Sequence, residues 1–305
     1  MVAVASTGGI AVPVAGGKEP LVEAQSMAHW PEIPLEDSFG DVLRKAMRGA
    51  DIDVPALSAA CGIARADLDA WIGDKGRATG DQARAIARVL RLDPEKLAVR
   101  AADAWRPPPI DRPDVRHHPQ DPHPSNGYVF FLDDGKRSAL VDPAGVPANL
   151  LRILRDGAYH LQYILITHKH ADHCDATAEI AAAFPAAQIV MHALDAHAIG
   201  TLGARAIHVK DGEELPFGDD AAIRMLHTPG HTDGSSSYLF KSALFTGDTI
   251  FAGSVGGAYG DVTGYVDILN GIRSKIFTLP DDTVLMPGHG PPTTVALEKA
   301  HNPFF

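Results

Sequence analysis

Cysteine is nearly absent from this chain: Cys61 and Cys174 are the two in 305 residues. Thiols so few and so far apart cannot build a disulfide framework, so a reducing cytoplasm is the expected setting. Long apolar runs are missing as well. No stretch approaches the roughly 18 consecutive apolar residues of a membrane-spanning helix, so a transmembrane function is not expected. The opening MVAVASTGGIAVPVAGGKEP has no basic segment ahead of its mild apolar run, and is expected to be a small-residue tail rather than a secretion signal. Basic charge is in deficit too, with 27 Lys and Arg against 38 Asp and Glu and a formal net charge of −11. A chain this acidic does not offer a whole-protein footprint to phosphate backbones, although a small basic face could sit within it. Hydrophobic residues, at 45%, and charged residues, at 21%, are ordinary for a chain that folds around a core, and 305 residues suggest two domains. One residue is in excess: fifteen histidines direct attention to metal-ligand spacing.

The texture changes along the chain. Residues 1–35 are rich in Gly, Ala, Val and Pro without periodicity and are expected to be a flexible tail. Residues 36–105 carry apolar side chains at spacings of three and four, as in Val42, Leu43, Ala46 and Met47 and again in Ala85, Ile86, Val89 and Leu90, which predicts four or five short helices and a small all-α domain. Thr79 and Asp93 are the expected N-caps, the second followed by Pro94 at the first helical position. Residues 106–124 hold seven prolines and read as a stiff, extended linker. Residues 125–305 then mix strands and helices. GYVFFL, a turn at Asp134-Gly135 and SALVDP form a hairpin, LQYILI precedes the ATAEIAAAF helix, and QIVMH, AAIRMLH, SSYLF, SALFTG and TVLM are further strands around the amphipathic VDILNGIRSKIFTL. Such an order implies one α/β layered domain of about 180 residues.

Directly after the strand YILI stands Thr167-His168-Lys169-His170-Ala171-Asp172-His173, a His-x-His-x-Asp-His pattern with four potential ligands in six residues. On a tight loop His168 and His170 can meet one cation while Asp172 and His173, turned the other way, meet a second. An all-nitrogen and oxygen set suits zinc, iron or manganese and points to catalysis rather than a closed structural site. Three further strands each end in a glycine-flanked candidate: His231 in Thr228-Pro229-Gly230-His231-Thr232, Asp248 in Thr246-Gly247-Asp248-Thr249, and His289 in Pro287-Gly288-His289-Gly290. Loops at strand ends are where α/β folds carry function.

Taken as a set, these motifs resemble the metallo-β-lactamase-fold hydrolases, and among them the glyoxalase II-like (hydroxyacylglutathione hydrolase-like) group. The resemblance covers residues from about 125 onward and includes Leu140-Val141-Asp142-Pro143 as the early strand ending in Asp. It implies a four-layer αβ/βα sandwich with a dinuclear site on its edge. One metal would take His168, His170 and His231, the other Asp172, His173 and His289, and Asp248 would bridge them. It further implies two divalent ions per chain, zinc first with iron or manganese as alternatives, and a shared hydroxide attacking a thioester or related ester. Asp172 would orient that hydroxide and carry a proton. Asp142 is either a residue that holds a ligand imidazole in its tautomer or a plain strand-end Asp. A one-iron persulfide dioxygenase is the runner-up, because such enzymes share IFTLP, found at 276–280; they end their last motif in Pro-Ala-His-Asp-Tyr, whereas this chain has Pro287-Gly288-His289-Gly290-Pro291. Asp248 argues against β-lactam cleavage. The helical C-terminal domain that helps hold glutathione in the true glyoxalase II enzymes is not expected in the short stretch after His289, and Gly257 stands where the group has an arginine. Tyr259 and Tyr265 are the candidate substrate-lining residues. Cys174 is expected to be a small buried hydrophobe.

The segment ALSAACGIARADLDAWI resembles the helix-turn-helix of the Cro/repressor-type family, with Gly62 in the turn. Residues 36–105 nevertheless hold 11 Lys and Arg against 12 Asp and Glu, and Arg65 faces Asp67 and Asp69 on the second helix. That balance disfavours DNA, and the preferred expectation is a module for homo-oligomer formation or for covering the active site. A DNA-binding metabolite sensor stays open as a further alternative.

Overall fold

The computed structural model describes residues 32–110, 112–132, 135–258 and 262–305. Most of the expected N-terminal tail, Asp134 of the expected turn and Tyr259 lie outside the described residues. Among the described residues five helices come first: α1 (Phe39–Gly49), α2 (Val54–Cys61), α3 (Arg65–Ile72), α4 (Gly80–Leu90) and α5 (Pro94–Ala101). Their starts follow from side-chain oxygens that take the first free backbone N–H groups. Ser38 caps α1 in a reciprocal box with Asp41, Thr79 does the same for α4 with Gln82, and Asp93 accepts from Glu95 and Lys96 to start α5. The helices α2 and α3 meet at a turn containing Gly62, and α3 buries Leu68 and Trp71 while exposing Arg65, Asp67 and Asp69.

The rest of the chain runs β1 (Val115–Pro119), β2 (Asn126–Phe131), β3 (Arg137–Val141), α6 (Pro147–Asp156), β4 (His160–Leu165), α7 (Ala171–Cys174), α8 (Thr177–Ala183), β5 (Gln188–Met191), a 3₁₀ segment (Ala196–Arg205) and β6 (Ile207–His208). It continues with β7 (Glu214–Phe217), β8 (Ala221–His227), β9 (Ser236–Phe240), β10 (Ala243–Gly247), β11 (Ile250–Phe251), β12 (Ser254–Val255), α9 (Val262–Gly271) leading into a π-turn (Ile272–Ile276), β13 (Val284–Pro287), β14 (Thr293–Thr294) and α10 (Val295–His301). Among the described residues these make two six-stranded sheets, ordered β1-β2-β3-β4-β5-β6 and β14-β13-β10-β9-β8-β7, with β11 and β12 as a small ribbon.

The strand period of two sorts side chains between layers. Along β4, Tyr163 and Leu165 face the core between the sheets while Ile164, and Ile166 just beyond the strand, pack under the helices of the first sheet. Along β10, Ala243 and Phe245 face inward and Leu244 faces the opposite side. Phe130, Phe217, Phe240 and Phe245 fill the space between the sheets with ring centroids 4.8–5.5 Å apart. Helices α6 and α8 cover the outer face of the first sheet, and α9, α10 and the five N-terminal helices cover that of the second. This is the four-layer αβ/βα arrangement, preceded by a helical region.

Two expectations need correction. The stretch 106–124 is not a free linker throughout, because Val115–Pro119 pairs antiparallel with β2 and makes the edge of the first sheet. Proline misleads there: Pro119 ends an edge strand, where a missing N–H breaks no central ladder. Nor does the helical region own a separate core. Leu43, Leu57, Leu68, Ile86 and Leu97 belong to one buried cluster with Leu244, Ile268, Leu285 and Val295. Polar bonds stitch the same seam: Lys45 Nζ donates to Asp37 (2.6 Å) and to the Val255 carbonyl (2.7 Å), Arg48 to the Ala258 carbonyl (2.7 Å), and Lys96 to the Phe305 carbonyl (2.6 Å). Among the described residues no helix is long and apolar enough to cross a membrane.

Candidate metal centre

Four strand ends converge on one edge of the sandwich. The strand β4 leads into the loop with His168 and His170 and then into the short α7, which carries Asp172 and His173; β8 leads to His231, β10 to Asp248 and β13 to His289. All seven predicted donors come together, in groups of His168, His170 and His231, of His168, His173 and Asp248, and of Asp172, His173 and His289. In the first group His170 Nδ1 lies 3.1 Å from His168 Nε2 and 2.9 Å from His231 Nε2. In the last, His289 Nε2 lies 3.3 Å from His173 Nε2 and 3.3 Å from Asp172 Oδ2. Asp248 stands between them, with Oδ2 3.4 Å from His231 Nε2 and 3.6 Å from His289 Nε2, and Oδ1 3.5 Å from His173 Nε2.

These separations fit cations. Nitrogens about 2.0–2.1 Å from one tetrahedral ion lie about 3.3 Å from each other. The buried Oδ1 of Asp248 has no hydrogen-bond partner among the described residues, which is costly for a carboxylate oxygen unless an ion or water meets it.

The electrostatics agree. Burial opposes ionisation of Asp172 and Asp248, yet His173 and His289 beside both, and His231 beside Asp248, hold the two carboxyls below the usual range. Burial alone would depress His173, but the carboxylates of Asp248, Asp142 and Asp172 hold it up at about 9. His168 behaves oppositely: burial, reinforced by the imidazoles of His173, His231 and His170, keeps it well below an ordinary histidine. Ionised carboxylates among crowded imidazoles are the donor set that can exchange protons for cations.

The opposite edges of the rings are held by residues that mostly lack a sequence motif. Asp142, with a left-handed φ of 53°, accepts from the Thr167 N–H (2.7 Å), from the Thr167 hydroxyl (2.8 Å) and from His173 Nδ1 (3.0 Å). Of its two sequence readings, the tautomer-fixing one agrees with this geometry. Thr167 Oγ1 in turn lies 3.0 Å from His168 Nδ1. His231 Nδ1 donates to the Gly257 carbonyl (2.7 Å), at the position where an arginine was expected. Buried Asp195 accepts from the Lys169 N–H, the Thr232 hydroxyl and the Gly234 N–H, tying the His168 loop to the His231 loop. Asn126 donates to the carbonyls of Pro287 and Gly290, flanking His289. Gly288 is required for space, since a Cβ there would lie 2.3 Å from Asp248 Oδ1.

Sequence reasoning missed Asp195, Asn126 and the Gly257 carbonyl because their only signal is long-range contact. Cys174 is buried, donates towards the carbonyls of Lys169 and His170, and has its thiol pushed up to about 12 by burial and nearby carboxylates, as expected of an inert residue. Tyr265 is not brought to the cluster. Its ring lies where a Cβ on Gly49 would sit and 6.2 Å from that of Phe304, and it lines a cavity of about 450 Å³ between α1, α4 and α9 in which no donor takes part. Packing between units explains the position of that tyrosine.

Residues 122–289 match the profile of the Metallo-beta-lactamase superfamily. The chain is 30% identical over 192 residues to hydroxyacylglutathione hydrolase GloC of Haemophilus influenzae, a stretch that covers 57% of this chain and 90% of that protein. Among solved structures it resembles BLEG-1 B3 metallo-beta-lactamase with a TM-score of 0.54 at 32% identity, covering 62% of this chain and 98% of that one. It also resembles ETHE1 from Myxococcus xanthus with a TM-score of 0.54 at 28% identity, covering 62% and 83%.

Proposed function

The chain belongs to the metallo-beta-lactamase superfamily, and from that premise we propose that it is a metal-dependent hydrolase of the glyoxalase II-like kind, acting on a thioester or related ester. The observation that carries this reading is the pair of complete donor triads with Asp248 between them. One cation is assigned to His168, His170 and His231, the other to Asp172, His173 and His289, with Asp248 serving both; zinc is the first choice, iron or manganese the alternatives. When bound, such a pair supplies Lewis acidity that polarises a carbonyl and lowers the proton affinity of water.

The protein's own residues do the rest. His168, His173 and His231 are kept with Nε2 towards the site by Thr167, Asp142 and the Gly257 carbonyl. Asp172 is the most open of the ligand carboxylates, its side chain 30% exposed, so it is the one placed to meet a substrate. Held ionised by His289 and His173 against the effect of burial, Asp172 brings no proton of its own to a leaving group, which suits a thiolate, since a thiol of pKa about 8.5 departs with little protonation. The near-neutral charge of the helical unit suits bracing the site better than reading DNA.

The direct test is a panel of thioesters, oxygen esters, lactones and β-lactams offered to the metal-loaded full chain. Preferential thioester turnover supports the assignment. Lactam turnover would move it towards BLEG-1, sulfur oxidation with one iron per chain would move it to a persulfide dioxygenase, and no turnover of any substrate would sink the hydrolase reading.

A further inference from the structure

Of the buried ring nitrogens behind the ligands, His289 Nδ1 is left without a hydrogen bond among the described residues, whereas those of His168, His173 and His231 face Thr167 Oγ1, the Asp142 carboxylate and the Gly257 carbonyl. Ring nitrogens opposite a coordinated one ordinarily donate to a carboxylate or carbonyl, which fixes the tautomer and strengthens the ligand. The carboxylate that approaches His289 Nδ1 comes from outside the residues that match the superfamily profile: Glu36 Oε2 lies 3.7 Å away, with the Glu36 side chain 33% exposed.

This approach is built into the chain. Gly290, at a left-handed φ of 73°, lets the N-terminal segment pass, since a Cβ there would lie 3.0 Å from the Glu36 nitrogen. The next residue anchors that segment to the sandwich: the Asp37 carboxylate takes Lys45 Nζ (2.6 Å) and the Ser254 hydroxyl, and its carbonyl takes Arg100. Ser38 then caps α1. On its other flank the His289 ring meets Phe251 edge to face at 5.8 Å, and Lys45 sits 4.8 Å over that phenyl ring. The imidazole is thus wedged between the sandwich and the root of the helical unit. A gap of 3.7 Å exceeds a direct hydrogen bond by less than an ångström, and the terminal torsion of Glu36 is of the intrinsically soft kind whose rotation would be needed to close it.

We propose that Glu36 is a positioning residue for the metal centre: the helical unit lends its carboxylate to His289 Nδ1 and so orients that imidazole towards the cation shared with Asp172 and His173. This rests on the assignment of His289 as a ligand. It gives the helical unit a task at the site that a separate covering domain or a DNA reader would not have.

The test is a chelator-competition titration of Co²⁺ into the metal-stripped full chain, read as two binding steps and as the visible spectrum of the loaded protein, for the natural chain, Glu36→Ala and Glu36→Gln. In Glu36→Ala one step weakens by about 10- to 100-fold with an altered spectrum while the other step is unchanged. Glu36→Gln, whose amide oxygen still accepts from Nδ1, keeps most of the affinity. Two unchanged steps and an unchanged spectrum in Glu36→Ala would overturn the proposal with the metal assignment intact, and so would an equal weakening of both steps with a lowered melting temperature, the mark of a merely structural role. A natural chain that takes up no Co²⁺ would overturn this proposal and the metallo-hydrolase reading together.

Discussion

In the helical unit, Leu43, Leu57, Leu68, Ile86 and Leu97 are fully buried and the capping side chains of Ser38, Asp53, Thr79 and Asp93 serve helix ends at or near the surface. At the edge of the sandwich the order is reversed: His168, His173 and Asp142 are as buried as those leucines, and ring nitrogens face one another at 2.9–3.3 Å. The first pattern stabilises by removing apolar area from water. The second is unfavourable by itself and is understandable as a preformed binding site, in which buried donors wait for positive charge. Stability and chemistry therefore sit in different places, joined by the seam along Asp37, Lys45, Arg100 and Glu298.

That division can be broken on either side. Asp248→Ala is expected to have the largest effect, a drop in kcat/KM of about 10³-fold or more, the several kcal/mol that a metal pair contributes to a developing charge, with far-UV circular dichroism unchanged. Retention of full turnover would contradict a bridging role. Leu68→Ala, on the apolar side, should lower the free energy of unfolding by about 2–5 kcal/mol in urea titrations, while the activity of the remaining folded protein stays close to natural. A large loss of turnover with little loss of stability would show that the helical unit acts on the chemistry in ways its packing does not reveal.

The seam offers a pH test. Burial raises the Glu298 carboxyl from 4.5 to about 7 despite bonds from Thr293, Asn302 and the Gly253 N–H, with Arg100 also acting against the rise. Because the folded value lies above the unfolded one, the stability contributed by this group is fully present below pH 4.5 and is lost as pH rises through about 7. The loss is on the order of a few kcal/mol. Urea midpoints measured across that window should fall for the natural chain and fall less for Glu298→Gln, which keeps the shape of the protonated form. Parallel curves would mean that Glu298 is ionised at no cost. A smaller effect is expected from Asp142→Asn, which should weaken metal affinity about 10- to 100-fold through His173, without the loss of fold that a core truncation brings.

The donors were readable from the sequence for a physical reason. His168, His170, Asp172 and His173 fall within six residues after one strand, and His231, Asp248 and His289 each follow an apolar strand and a glycine, so local spacing carries the information. The helix starts at Thr79 and Asp93 were legible likewise, because caps are local. The residues behind the ligands were not. Glu36 and His289 are brought together only by the packing of the helical unit, and Asp195 reaches the Thr232 hydroxyl across the fold. Asp142 could be named but its role could not be decided until His173 Nδ1 was placed against it. The strand Val115–Pro119 hid among prolines because edge pairing, unlike central pairing, tolerates them.

The dinuclear assignment turns on how many cations the buried cluster holds. Elemental mass spectrometry of the full chain, purified without added metal and again after loading, counts them. About two divalent zinc, iron or manganese ions per chain is the predicted result. One ion, or none after loading, would contradict a dinuclear site and leave Asp248 without the bridging role assigned to it.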